Sequence, residues 1–238
     1  MSETQVRSRP LPVVASPEEW RAARAALLAE EKAHMRAGDA LAAKRRRLPM
    51  APVEKRYVLH GPDGEATLLD LFLGKRQLIV YHFMFHPDWD AGCDGCSWFV
   101  DGVADVRHLA ARDVAFALVS RAPLPKLEAY RRRMGWDLPW YSSHDTTFNW
   151  DLGATVGDSE HHKLSVFLRD GDEVYLAYRA LEWTDQLEAV GRLLDVVPYG
   201  SQERGEDVPD GWPQGDPWVW MRRHDEYDTG VPAPSAQT

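Results

Sequence analysis

Cys93 and Cys96 are the two cysteines of a 238-residue chain, and only Asp94 and Gly95 separate them. A pair this close in sequence closes almost no loop, so it cannot be the kind of disulfide framework that holds small secreted domains together. Its chemistry is local. On the first turn of a helix, residues three apart fall within the roughly 4.4–6.8 Å Cα separation that a disulfide permits. If Cys93 opens such a helix, the free backbone amides there stabilise its thiolate and make it the attacking sulfur. Cys96 then resolves the mixed disulfide. Asp94 acts the other way, because a carboxylate beside a thiolate raises the thiol pKa, and it favours a reductant or sensor over an oxidant.

The same neighbourhood offers a second chemistry. His82, His86, Cys93 and Cys96 form a nitrogen and sulfur ligand set suited to zinc or copper, although their spacing is not that of a zinc finger. His82 shares a strand face with Leu78, Val80 and Met84 and reads as a core histidine. His86, at the mouth of that strand, is the better ligand or proton donor. His161 and His162 are adjacent on an extended segment, so at most one of them faces such a site. Arg121 follows the next strand and is placed to stabilise a thiolate or bind an anionic substrate, or simply to lie in a surface loop. Trp89, Trp98, Trp136 and Trp140 either line an aromatic pocket near the sulfurs or pack in the core. The expected site is therefore Cys93 and Cys96 as catalytic residues, with His86, Trp89, Arg121, Trp136 and Trp140 binding substrate or supporting. No cofactor is expected, and the Cys93, Cys96, His86, His82 metal set stands as the alternative.

The elements that position these residues follow from hydrophobic period and punctuation. Gln77 to Phe85 is apolar on both faces, as in a central strand covered on both sides, and Asp113 to Ser120 is a second such strand. Between them Phe99, Val103, Val106, Leu109 and Ala110 step at helical spacing, so strand, helix and strand imply a parallel crossover. In an open α/β sheet, sites gather beyond the carboxyl ends of parallel strands, which is where the loop from His86 to Cys93 must lie. Pro125 begins a further helix with Leu127, Tyr130 and Met134 on its inner face. Lys163–Leu168 and Glu173–Tyr178 flank an Asp-Gly hairpin turn. A last helix starts at Trp183 or Thr184 and carries Leu187, Val190, Leu193, Leu194 and Val197 as a buried stripe.

Upstream, Ser16-Pro17-Glu18-Glu19 is a capping box with proline at the first helical position. A helix over about 17–36 is expected, interrupted at Gly38-Asp39, with a shorter piece to Arg47 before Pro49 and Pro52. The organisation is thus an N-terminal helical extension (1–56), an α/β core (57–198) and a tryptophan-rich C-terminal tail (199–238) that packs on the core.

Composition narrows the class. The chain is 44% apolar with a net charge of −9, enough to bury one substantial core. An acidic chain without a concentrated basic face does not suit nucleic acid, and the run Lys44–Arg47 reads as a solvated helix end. No apolar run is long enough to span a membrane, and the first ten residues lack the apolar stretch of a signal peptide, so a cytoplasmic protein is expected. A homodimer is allowed.

Several motifs together carry a family resemblance: Tyr81-His82-Phe83-Met84-Phe85, Gly92-Cys93-Asp94-Gly95-Cys96-Ser97, Ser120-Arg121-Ala122-Pro123, Arg133-Met134-Gly135-Trp136, Trp140-Tyr141-Ser142-Ser143 and Arg223-His224-Asp225-Glu226-Tyr227. With them the chain resembles, over nearly its whole length, the DUF899 family of dithiol-disulfide oxidoreductases with a thioredoxin-like fold. The resemblance implies a thioredoxin-like mixed sheet flanked by helices. It also implies a Cys-x-x-Cys redox couple acting on a disulfide or oxidised sulfur and restored by a cellular dithiol reductant. Two departures from similar families stand out. His161-His162-Lys163 occupies the place where thioredoxins carry a cis-proline, and Asp90 stands where peroxiredoxins have Thr or Ser.

Overall fold

The computed structural model describes residues 11–103, 105–180 and 189–227. In chain order the elements are α1 (Pro17–Arg45), β1 (Ala51–Pro52), β2 (Val58–Gly61), β3 (Gly64–Thr67), β4 (Gln77–His82), α2 (Asp94–Asp101), α3 (Arg107–Ala110), β5 (Val114–Ser120) and α4 (Leu124–Arg133). They continue with β6 (Trp140–Ser142), α5 (Phe148–Asp151), β7 (Thr155–Val156), β8 (Ser159–Glu160), β9 (Lys163–Asp170), β10 (Glu173–Ala180) and α6 (Ala189–Leu194). These fall into two compact units, one formed by the described residues up to Leu48 with Leu193–Val219, the other by Pro49–Arg192 with the described residues from Trp220.

In the first unit α1 starts as its sequence dictates. Ser16 Oγ accepts from the Glu19 amide and the Glu19 carboxylate accepts from the Ser16 amide, at 3.2 and 2.9 Å. The expected break at Gly38-Asp39 does not occur, and α1 runs unbroken to Arg45. One glycine costs a helix only about 1 kcal/mol, and Ala37, Ala40, Ala42 and Ala43 around it are the strongest helix formers. No residue of α1 is buried. In the same unit the Glu206 carboxylate ties a turn by accepting from the Ser201 and Glu203 amides.

The second unit is built on an eight-stranded sheet ordered β1-β10-β9-β4-β5-β6-β2-β3. β4 pairs parallel with β5, and β5 with β6. β9 runs antiparallel to β4, and β10 antiparallel to β9. The hairpin between β9 and β10 turns at Gly171, whose φ of +59° glycine adopts without strain.

β4 and β5 are apolar on both faces because both faces are covered. Leu78, Val80, Ala117 and Val119 pack with Leu59, Leu71, Phe72, Phe148 and Phe167 on one side. Tyr81, Leu118 and Phe116 pack with Phe99, Val100, Leu127, Tyr130 and Trp140 on the other. Alternation along a strand requires this division. The ladder of β4 stops at His82 rather than Phe85. Beyond it the Phe85 carbonyl accepts from Ala122 and the Met84 carbonyl from Cys93, so these residues bond to loops rather than to a neighbouring strand.

The last helix differs from its reading. Its expected start and Leu187 lie outside the described residues, and α6 spans Ala189–Leu194. Leu193 and Val197 are 66% and 45% exposed, so they do not form a buried stripe. Apolar residues at helical spacing bury only where a partner surface meets them.

Candidate redox site

Cys93 is the N-cap of α2, with extended backbone angles (φ −57°, ψ 136°) that aim its side chain back over the first turn. Its Sγ accepts from the Cys96 amide at 3.4 Å, the part that a serine or aspartate oxygen plays at other helix starts. Cys96 lies one turn in, buried to 2% exposure, and its Sγ accepts from the Met84 amide at 3.4 Å. The Met84 carbonyl in turn accepts from the Cys93 amide at 3.1 Å. One residue, two positions past the end of β4, thus grips both cysteines through its backbone. Both are free thiols, Cys93 partly exposed.

Their protonation differs. The Cys93 thiol is held below its ordinary value first by its hydrogen bond with the Cys96 thiol and then by the Cys96 and Gly95 amides, against burial and the Asp94 charge. Cys96 is pushed well up by burial and by the proximity of Cys93, opposed by the Tyr81 hydroxyl and the Met84 amide. The two form a coupled pair in which Cys93 deprotonates first.

A polar chain runs behind the cysteines. Ser97 Oγ donates to the Cys93 carbonyl at 2.8 Å and lies 2.9 Å from the Tyr130 hydroxyl. With the serine proton directed at Cys93, the tyrosine hydroxyl donates to Ser97 and accepts from Arg223 Nε at 2.8 Å. Arg223 Nη2 also donates to the Gly92 carbonyl at 2.7 Å and lies 2.6 Å from the Asp94 carboxylate. Burial comes first among the causes that raise the Asp94 carboxyl, and Arg223 opposes it. Tyr130 belongs to an aromatic group with Phe83, Trp136 and Trp140, whose ring centroids lie 4.8–6.2 Å apart. The Trp136 indole donates to Asp101 at the end of α2 (2.8 Å), and the Trp140 indole to Ser120 Oγ (2.9 Å).

His86, Arg121 and Trp89 lie in a second group. Asp158 joins His86 Nε2 (3.0 Å) to Arg121 Nη2 (2.8 Å), and Arg121 Nε donates to Glu160 at 2.6 Å. Lys126 Nζ holds the loop from His86 by donating to the Pro87 and Trp89 carbonyls, both at 2.6 Å, and Trp89 is 38% exposed.

The structure separates His82 from the rest of the alternative metal set. Among the described residues, no group of three or more His, Cys, Asp or Glu side chains could hold a metal ion. His82 stacks on Phe148 on the sheet face opposite Cys96, and its ring nitrogens lie 2.9 Å from Ser165 Oγ and 3.4 Å from Asn149 Oδ1. A strand residue cannot reach across its own sheet. Sequence reasoning about the site missed Ser97, Tyr130 and Arg223. Ser97 carried a signal, one helical turn after Cys93, whereas Arg223 is 131 residues from Gly92 and carried none.

Strand order β5-β4-β9-β10, with one parallel and two antiparallel pairings and a cysteine pair opening the helix after β4, defines an α/β protein of the thioredoxin-like class. Residues 9–227 match the family model described as "Bacterial protein of unknown function (DUF899)", and the chain belongs to that family. No curated protein matches it. Among solved structures it is similar to a bacterioferritin comigratory protein of Xanthomonas campestris studied for alkyl peroxide reduction (14% identity, TM-score 0.41, covering 56% of this chain and 87% of that one). It is also similar to the peroxidoxin BcpB of Mycobacterium tuberculosis (18%, 0.40, 53% and 81%). A third is a structure described as a thiol:disulfide interchange protein DsbE from Chlorobium tepidum (13%, 0.40, 61% and 94%). No helix among the described residues is long and apolar enough to cross a membrane.

Proposed function

We propose that the protein is a thiol-disulfide oxidoreductase with Cys93 as nucleophile and Cys96 as resolving thiol. The observation that carries this reading is the unequal pair: a partly exposed N-cap sulfur whose deprotonation is favoured, one turn from a buried sulfur whose deprotonation is opposed. The Cys93 thiolate attacks one sulfur of a substrate disulfide, the S–S bond breaks, and the departing thiolate takes a proton. The mixed disulfide removes the negative charge from Cys93. One of the causes holding the Cys96 proton then disappears, and Cys96 can attack Cys93 to release the second substrate thiol. The substrate gains two electrons and the pair becomes a disulfide, which a cellular dithiol reductant reduces again.

In this reading Trp136 and Trp140 support the cysteine helix through Phe83, Tyr130 and Asp101. Trp89, exposed on the loop leading to Cys93, meets a disulfide-containing or oxidised-sulfur substrate, while His86 and Arg121 support that loop from the Asp158 carboxylate. The reaction suits the cytoplasm, where dithiol reductants are maintained, and operates equally in a monomer or a homodimer.

The test is a redox titration of the metal-free protein in defined dithiol/disulfide buffers, read by mass after alkylation, with metal content measured on the same sample. One reversible two-electron transition, lost in Cys93→Ser, is expected. Thiols that resist oxidation while metal copurifies at about one equivalent would overturn the reading.

A further inference from the structure

Asp94 presents a difficulty for any chemistry at Cys93. It places a carboxylate next to the sulfur that must become an anion, and its side chain is only 28% exposed, so water screens it poorly. Arg223 meets this charge. Its guanidinium, 16% exposed, lies 2.6 Å from the Asp94 carboxylate and donates to the Gly92 carbonyl at 2.7 Å, bracketing Cys93 from both sides in sequence. Its Nε donates to the Tyr130 hydroxyl, and so reaches the Cys93 carbonyl through Ser97.

The segment carrying Arg223 is itself anchored to the same unit. Arg133 pairs with Asp225 and Glu226 at 2.7 Å each, and Arg223 Nη1 with Glu226 at 3.1 Å. His224 Nδ1 lies 2.8 Å from Asp101, and Trp220 packs edge to face on Trp98. Met221 is buried, with its sulfur 3.8 Å from the position of a methyl on Gly95.

We propose that Arg223 is a positioning residue for the Cys93 nucleophile: it donates to the flanking Gly92 carbonyl and pairs with the flanking Asp94 carboxylate, so that the guanidinium offsets part of the carboxylate's opposition to the thiolate. The inference rests on the assignment of Cys93 as nucleophile. The charged and titratable groups facing this site are Asp94, Arg223, Arg133 and Glu226, with Cys96, Tyr130 and Tyr81 completing its surroundings. Of these, only Asp94 is both anionic at neutral pH and adjacent to Cys93 in the chain.

The experiment follows the pH dependence of Cys93 alkylation in the reduced full chain, resolved from Cys96 by fragment mass. It compares the parent, Arg223→Met, Arg223→Lys and the double variant Arg223→Met/Asp94→Asn, with thermal unfolding of each as a check on folding. Loss of the guanidinium should move the midpoint upward and slow alkylation at pH 7 roughly three- to tenfold, the smaller figure allowing for the greater nucleophilicity of a more basic thiolate. Arg223→Lys should recover part of the rate. Removing both charges should return it to within about twofold of the parent, because the two residues act as one unit. An unchanged midpoint in Arg223→Met overturns the proposal. So does a double variant as slow as the single one, the result expected if Arg223 merely holds the C-terminal segment in place. Failure of the parent to show a reversible two-electron couple would sink the oxidoreductase reading alone, since alkylation reports on Cys93 whether or not the pair cycles.

Discussion

Phe83 occupies the space that a side chain on Gly92 would need: a methyl on Gly92 would stand 2.5 Å from the Phe83 ring and 3.2 Å from the Tyr130 ring. The residue before the nucleophile is therefore confined by the aromatic group under α2, and its size is limited by packing. Gly92→Ala is expected to cost about 1–3 kcal/mol of unfolding free energy as the ring or the loop shifts. Gly95→Ala is the matched control, because its methyl would meet nothing closer than 3.8 Å. Urea unfolding of both variants distinguishes them, and equal stabilities would refute the steric account.

The two cysteines should separate in single variants. Cys93→Ala is expected to abolish thiol alkylation near neutral pH, while Cys96→Ala should accumulate mixed disulfides with a model disulfide. Equal alkylation rates for the two cysteines in the parent contradict that division. The buried thiol also makes a stability claim. Cys96 has its pKa raised on folding, so its contribution is complete below the unfolded thiol value and is lost as pH rises through the folded one. An alkaline loss of stability that Cys96→Ala diminishes is the expected signature.

His82 predicts behaviour at the acid end. Burial, the largest influence on its imidazole, lowers the pKa from 6.5 to about 4, although the bond with Asn149 opposes the shift. The folded state keeps the ring neutral while the unfolded chain protonates it, so stability present above pH 6.5 is lost as pH falls toward 4. The loss amounts to about 3 kcal/mol. In His82→Gln, which keeps a polar group near Ser165 and Asn149 but does not titrate, this part of the acid limb should flatten. Unfolding curves from pH 7 to 4 decide it, and parallel limbs in the two proteins would count against the assignment.

Arg121 and Glu160 form a pair whose side chains are 9% and 1% exposed. Removing one partner strands a buried charge, so Arg121→Met should destabilise by about 3–5 kcal/mol, and Glu160→Gln added to it should restore a large part. Thermal unfolding of Arg121→Met, Glu160→Gln and the double variant reads this coupling. Additive losses would show that the pair is not a unit.

Much of this architecture was legible in local pattern. The doubly apolar runs of β4 and β5, the turn at Gly171 and the capping box at Ser16 each announce themselves within a few residues, because backbone period and turn chemistry are local properties. The position of Cys93 at a helix start followed from strand and helix succession alone. Gly38 misled because its penalty is small beside the alanines around it, and the stripe of α6 misled because period does not reveal whether a partner surface exists. His82 showed itself as a core residue through its strand face. Arg223 could not be found this way, since the contacts joining it to Gly92, Asp94 and Tyr130 depend on how distant segments meet.

The sequence separation of 131 between Gly92 and Arg223 also orders events in time. At about 5–20 residues per second, a ribosome needs on the order of ten seconds to add them. For that interval the nascent chain displays Cys93 and Cys96 with Asp94 beside them and no guanidinium to offset it. If Arg223 offsets Asp94 as proposed, a chain folded as far as the sheet around α2 but lacking residues 220–227 carries a less reactive Cys93 than the finished one.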